Sequence, residues 1–105
     1  MKYLVTAKTT GFPGLTPTPP DVMQGLNVAA RTFVKERLED GSFDCHYVFA
    51  DGGGFAIVNA DSHEGVMDLL LAHPLYAMFA WEVKALCDWE HSYDKFTEFW
   101  GILQG

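Results

Sequence analysis

Ser42–Ala60 reads SFDCHYVFADGGGFAIVNA, two strand-like runs joined by a glycine turn. From Ser42 to Ala50 alternate residues share a face. Phe43, Cys45, Tyr47 and Phe49 fall on one side, and Asp44, His46, Val48 and Ala50 on the other. Asp51-Gly52-Gly53-Gly54 supplies residues that tolerate positive φ, so the chain is expected to reverse there into a hairpin. The Phe55-Ala56-Ile57-Val58 run is apolar at every position, the pattern of a strand covered on both faces.

The flanks of the hairpin carry the other elements. Tyr3–Lys8 is a short apolar strand. Thr9–Pro20 holds four of the five prolines and is expected to be a loop with stiff corners, either a connector or a pocket wall. From Pro20 to Asp40 the apolar residues Val22, Leu26, Ala29, Ala30, Phe33, Val34 and Leu38 recur at three and four, which predicts an amphipathic helix with one buried stripe. Gly41 is suited to the left-handed residue that ends it. Beyond the hairpin, Asp61-Ser62-His63-Glu64 has the form of a capping box. The helix it opens carries Val66, Leu69 and Leu70 and ends before Pro74. Met78–Leu86 is a last strand, and Tyr93, Phe96, Phe99, Trp100 and Leu103 fall at helical spacing in the tail that follows.

The order β-α-β-β-α-β is the ferredoxin-like unit, an α+β fold with a four-stranded antiparallel sheet. One domain is expected over 1–105, with a core at 1–87 and a C-terminal helical extension at 88–105. Two helices cover only one face of such a sheet, yet its strands are apolar on both. A free face of that kind exceeds what soluble monomers usually expose. Burying even ~600 Å² of it is worth about 15 kcal/mol before the cost of association. Two sheets are therefore expected to pack face to face across a two-fold axis, in a homodimer or a higher homo-oligomer.

Composition narrows the function. The chain has 105 residues, 49% of them hydrophobic, and a net charge of −7. It has no basic cluster, so DNA and RNA are not expected partners. No apolar run approaches the ~20 residues a membrane span needs, nor the about 7–15 of a signal-peptide core, so the cytoplasm is the expected compartment. Cys45 and Cys87 are expected to be buried small hydrophobes with no disulfide. The histidines and cysteines show no metal-ligand spacing. The glycine turn lacks the Lys-Ser/Thr of a phosphate loop.

Four stretches resemble the muconolactone isomerase family: Asp61-Ser62-His63-Glu64, Leu69-Leu70-Leu71-Ala72-His73-Pro74-Leu75-Tyr76, Glu82-Val83-Lys84-Ala85-Leu86-Cys87, and the helix exit Arg37-Leu38-Glu39-Asp40-Gly41-Ser42-Phe43. The likeness runs over roughly residues 1–90. It implies a ferredoxin-like protomer, a dimeric α/β barrel built through the sheet and a small-molecule pocket. The family's pocket-facing Lys and Glu of the first helix fall at Asn27 and Ala30 here. Its acidic residue two before the matching Glu82 falls at Ala80. The resemblance therefore implies a divergent relative, of the kind that serves secondary metabolism.

Candidate chemistry centres on Asp44 and His46, two apart on one strand. A carboxylate beside an imidazole orients the ring and suits it to acid–base work near neutral pH. His73, before Pro74 at a helix end, and Tyr76 are candidate hydrogen-bond donors to a developing oxyanion. Tyr47, Trp81, Glu82, Phe96 and Trp100 are expected to contact the ligand, the last two as a lid or a docking surface. The expected activity needs no cofactor: proton transfer leading to isomerisation, cyclisation or condensation of an apolar or aromatic intermediate inside the barrel. The alternative is a non-catalytic accessory protein that holds such an intermediate.

Overall fold

The computed structural model describes residues 1–9 and 18–105. Most of the loop expected between Thr9 and Pro20 lies outside the described residues. The elements are β1 (Lys2–Thr9), α1 (Pro20–Glu39), β2 (Phe43–Val48), β3 (Gly54–Asn59), α2 (His63–Leu71), a 3₁₀ turn (Tyr76–Met78), β4 (Phe79–Leu86) and α3 (Trp89–Gln104). The sheet order is β2-β3-β1-β4, and every neighbouring pair is antiparallel. This is the expected ferredoxin-like α+β arrangement. At its centre Val5 lies between Ala56 of β3 and Val83 of β4.

Local chemistry sets the element ends. Pro20 opens α1, where a missing N–H costs nothing. Gly41 follows the helix at φ 84°, a left-handed residue that releases the chain into β2. The cap of α2 sits one residue later than the expected box. Ser62 is extended, and its Oγ accepts the Gly65 N–H at 3.0 Å. The Asp88 carboxylate accepts the His91 N–H at 3.2 Å and opens α3.

The core lies between the sheet and the first two helices. Tyr3, Val5, Phe43, Ala56, Val58 and Val66 are buried there, and Phe33, Val34, Leu69, Leu70 and Trp81 pack around them. Along β3 burial alternates, with Gly54, Ala56 and Val58 inward and Phe55, Ile57 and Asn59 on the other side. The expected stripe of α1 is covered only in part, at Leu26, Ala30, Phe33 and Val34. Val22, Ala29 and Leu38 stay exposed.

Strict alternation fails in β2. Phe43 pairs with Val58 but Cys45 pairs with Ile57, so two residues face one and the strand is bulged. Phe43, His46 and Val48 consequently share the helix-covered face, and Cys45 and Tyr47 the other. Cys45 is half-buried and Cys87 exposed, both as free thiols, so neither is the fully buried hydrophobe expected.

The hairpin turn depends on close backbone approach. Gly53 has φ 76°, and a Cβ built there would lie 2.2 Å from the Ala7 carbonyl oxygen. Gly53→Ala is therefore expected to destabilise the fold by about 2–4 kcal/mol, read as a lower urea midpoint.

Two surfaces are left without a partner in a single chain. The sheet face opposite the helices carries Leu4, Ile57, Phe55, Leu86 and Tyr47, the last 64% exposed. Among the described residues α3 has no buried side chain. Its Trp89, Tyr93, Phe96, Phe99, Trp100, Ile102 and Leu103 are 55–79% exposed. The radius of gyration is 17.9 Å, against about 13 Å for a compact chain of this length. No helix among the described residues is long and apolar enough to cross a membrane.

Candidate functional site

The helix-covered side of the sheet encloses an apolar cavity of about 470 Å³. The sequence expectation put a pocket in the dimeric barrel; within one chain the cavity lies between the sheet and the helices. Val5, Ala56 and Val58 form the sheet wall, and Phe33, Val34, Leu69 and Leu70 the helix wall. Phe79 and Trp81 of β4 close one end. Two imidazoles, His46 and His73, enter this lining, while the exposed side chains of Asn27 and Arg31 lie at its rim. The lining has no carboxylate among the described residues.

The bulge in β2 turns His46 into the cavity, opposite Ala56. Its Nδ1 lies 3.0 Å from the Phe55 carbonyl oxygen. A carbonyl only accepts, so Nδ1 carries the proton and donates it. In the neutral ring Nε2 is then a bare lone pair, with no hydrogen-bond partner among the described residues.

His73 has the opposite arrangement. Its Nδ1 accepts the Leu75 N–H at 3.0 Å, so the ring proton sits on Nε2. Phe33, Phe79 and Trp81 surround the imidazole edge-on, with centroids 5.1–6.3 Å away. Burial, reinforced by repulsion from His46, holds the His73 pKa below its usual 6.5. The ring is thus a neutral Nε2–H donor at neutral pH. The main chain fixes two complementary tautomers in one apolar space, one offering a base and the other a proton.

A stability consequence follows from the sign of the His73 shift. The unfolded chain binds a proton that the folded chain refuses, so stability rises with pH across that window. It is expected to fall as pH drops from about 6.5 through the lowered pKa. His73→Phe should flatten this limb of a urea-midpoint series run from about pH 7.5 to 5.

Other expected site residues lie elsewhere. Asp44 does not orient His46. It pairs with Lys2 and accepts the Asn59 amide at 2.6 Å, on the uncovered side of the sheet. The hydrogen bonds from Lys2 and then Asn59 lower its pKa. The extra residue of the bulge is the physical reason, since it carries the two side chains to opposite faces. Tyr76 lies outside the cavity. Its ring stacks on Trp81 at 6.0 Å, and its carbonyl accepts the Trp81 indole N–H at 2.8 Å. It lines a second hollow of about 350 Å³ with Tyr3, His63 and Val83. Tyr47 and Glu82 sit on the uncovered face, Tyr47 against Phe55 and Glu82 3.5 Å from Lys84. Phe96 and Trp100 project on α3 and line neither of these two cavities. Of the expected contact residues, only Trp81 lines the main cavity together with His46 and His73.

Sequence reading missed Arg31 and Phe33 as cavity residues, whereas Asn27 and Ala30, at the positions the resemblance made pocket-facing, both line it. A signal was present. Asn27, Ala30, Arg31 and Val34 recur at three and four, so the two polar residues border the buried stripe of α1. Among the described residues no group of three or more His, Cys, Asp or Glu side chains is placed to hold a metal ion.

No family model matches the sequence, and no curated protein matches it. Solved structures match its fold. A muconolactone isomerase structure superposes with a TM-score of 0.73 at 17% identity, over 84% of this chain and 90% of the other. A 5-chloro-2-hydroxyhydroquinone dehydrochlorinase from Burkholderia phenoliruptrix AC1100, complexed with 2,5-dihydroxybenzoquinone, superposes with a TM-score of 0.64 at 18% identity, over 87% and 98%. Both likenesses are of fold, and both structures are of enzymes.

Proposed function

We propose that this protein is a small enzyme that uses its own side chains to move a proton on an apolar or aromatic metabolite, with isomerisation, cyclisation or condensation as the result. The supporting observation is the pair of opposed tautomers. A ligand with an acidic C–H beside a carbonyl would lose that proton to His46 Nε2. The electron pair would move onto the carbonyl oxygen, which accepts a hydrogen bond from His73 Nε2–H. Return of the proton to a different carbon completes an isomerisation. Attack of the carbanion on a second carbonyl of the same molecule, whose oxygen takes the proton back from His46, completes a cyclisation. The dry lining strengthens both hydrogen bonds and excludes water from the anion.

The experiment needs no knowledge of the product. Aryl β-diketones and cyclic enones are incubated with the protein in D2O, and exchange of C–H for C–D is followed by NMR. Catalysed exchange of at least one class supports the proposal. Ligands that bind in the cavity with no exchange above the buffer rate would contradict it. That outcome would favour the second reading, a non-catalytic accessory protein that holds a pathway intermediate. The absence of a carboxylate from the described lining favours this reading, since no acid there can pair with the imidazolium that proton abstraction would leave.

We also infer a homodimer formed through the uncovered face of the sheet. Leu4, Phe55, Ile57 and Leu86 make that face too apolar to be left in water.

A further inference from the structure

We infer that Arg31, with Asn27 one turn before it on α1, recognises a carboxylate, so that the ligand of the main cavity is an apolar acid with its anionic end at the rim. The inference rests on the reading of that cavity as the ligand site and deepens it by naming the class of ligand.

The argument begins with the ion pairs. The chain has 14 acidic and 7 basic side chains, so every cation has acids to spare. Lys2 pairs with Asp44, Lys35 with Glu39, Arg37 with Glu36 and Asp40, Lys84 with Glu82, and Lys95 with Glu98. Among the described residues that leaves Lys8 and Arg31 without an ion pair. The stretch outside them, residues 10–17, is TGFPGLTP and contains no acid that Arg31 could bind. Lys8 sits on β1 opposite Ala80 and does not line the cavity. Arg31 does, and it is the one charged side chain that lines the cavity among the described residues.

The chemistry of the pair is selective. A guanidinium offers a planar fork that matches the two oxygens of a carboxylate, and the Asn27 amide adds a neutral donor on the same helix face. A protein with net charge −7 repels anions in general. Arg31, without an ion pair among the described residues, gives an acid a place to enter at the rim. With its carboxylate held there, the apolar body of the ligand lies along Ala30, Val34 and Phe33, toward His46 and His73.

The test uses 2-naphthoate and its neutral analogue 2-naphthamide, titrated calorimetrically into the full-length protein. The wild type is expected to bind naphthoate about tenfold or more tightly than naphthamide, with the margin shrinking at high salt. Arg31→Gln should abolish the margin while naphthamide still binds, which also shows that the cavity is intact. Lys8→Gln should change neither. Naphthamide binding with no preference for naphthoate, or a preference that survives in Arg31→Gln, overturns the carboxylate assignment and leaves the cavity reading standing. Failure of both probes to bind overturns the two together.

Discussion

His46→Gln is expected to slow C–H exchange by about 10²-fold or more while the ligand still binds. Glutamine can still donate to the Phe55 carbonyl, as His46 Nδ1 does over 3.0 Å. It has no equivalent of the free Nε2 lone pair. The substitution therefore removes the base and keeps the anchor, and the loss should appear in the catalytic rate and not in ligand affinity. His73→Gln should cost a comparable factor by a different route. It withdraws the donor to the oxyanion, an interaction made most strongly in the transition state. An unchanged exchange rate in His46→Gln would remove His46 from the chemistry.

Ile57→Asp is expected to convert an oligomer to single copies. Ile57 lies at the middle of the uncovered face, paired with Leu4 on one side and Cys45 on the other. In an assembly related by a two-fold axis the substitution enters the interface twice. Each buried, unpaired carboxylate costs several kcal/mol, so dissociation should strengthen by well over 10²-fold. Sedimentation velocity at micromolar concentration reads the change directly. The inward core residues Ala56 and Val58 are untouched, so the monomer should keep its far-UV circular dichroism. A wild type that already sediments as one copy would contradict the interface.

Most of the fold was readable from residue pattern. Period-two alternation, the glycine turn at 51–54, Gly41 after a helical stripe and Pro74 after another each report a local backbone preference. Those preferences were enough to order the elements. The bulge between Phe43 and Cys45 was not readable, because an extra residue in a strand leaves no mark on an alternating pattern. Its effect is large, since a slip of one residue moves a side chain to the other face. That slip separates Asp44 from His46 and brings His46 to the cavity beside Phe43, their rings 6.4 Å apart.

The position of the cavity was hidden for a related reason. Apolar strands on both faces do not tell which side retains a void. A void depends on how Phe33, Leu69, Leu70 and Trp81 fit together, which is a matter of volume and rotamer. The spacing of Phe96 and Trp100 predicted a helix correctly. What that helix packs against depends on surfaces distant in sequence. The tautomers of His46 and His73 depend on the Phe55 carbonyl and the Leu75 N–H, main-chain groups of a kind every residue has. No choice of residue types announces them.

The most direct measurement is the tautomer state of the two histidines, read from ring nitrogen shifts in long-range proton–nitrogen NMR spectra of labelled protein at neutral pH. A protonated, pyrrole-like Nδ1 with a bare Nε2 is expected for His46, and the reverse for His73. The same tautomer in both rings, or a doubly protonated His73, would contradict the pairing of base and donor on which the proposed chemistry stands.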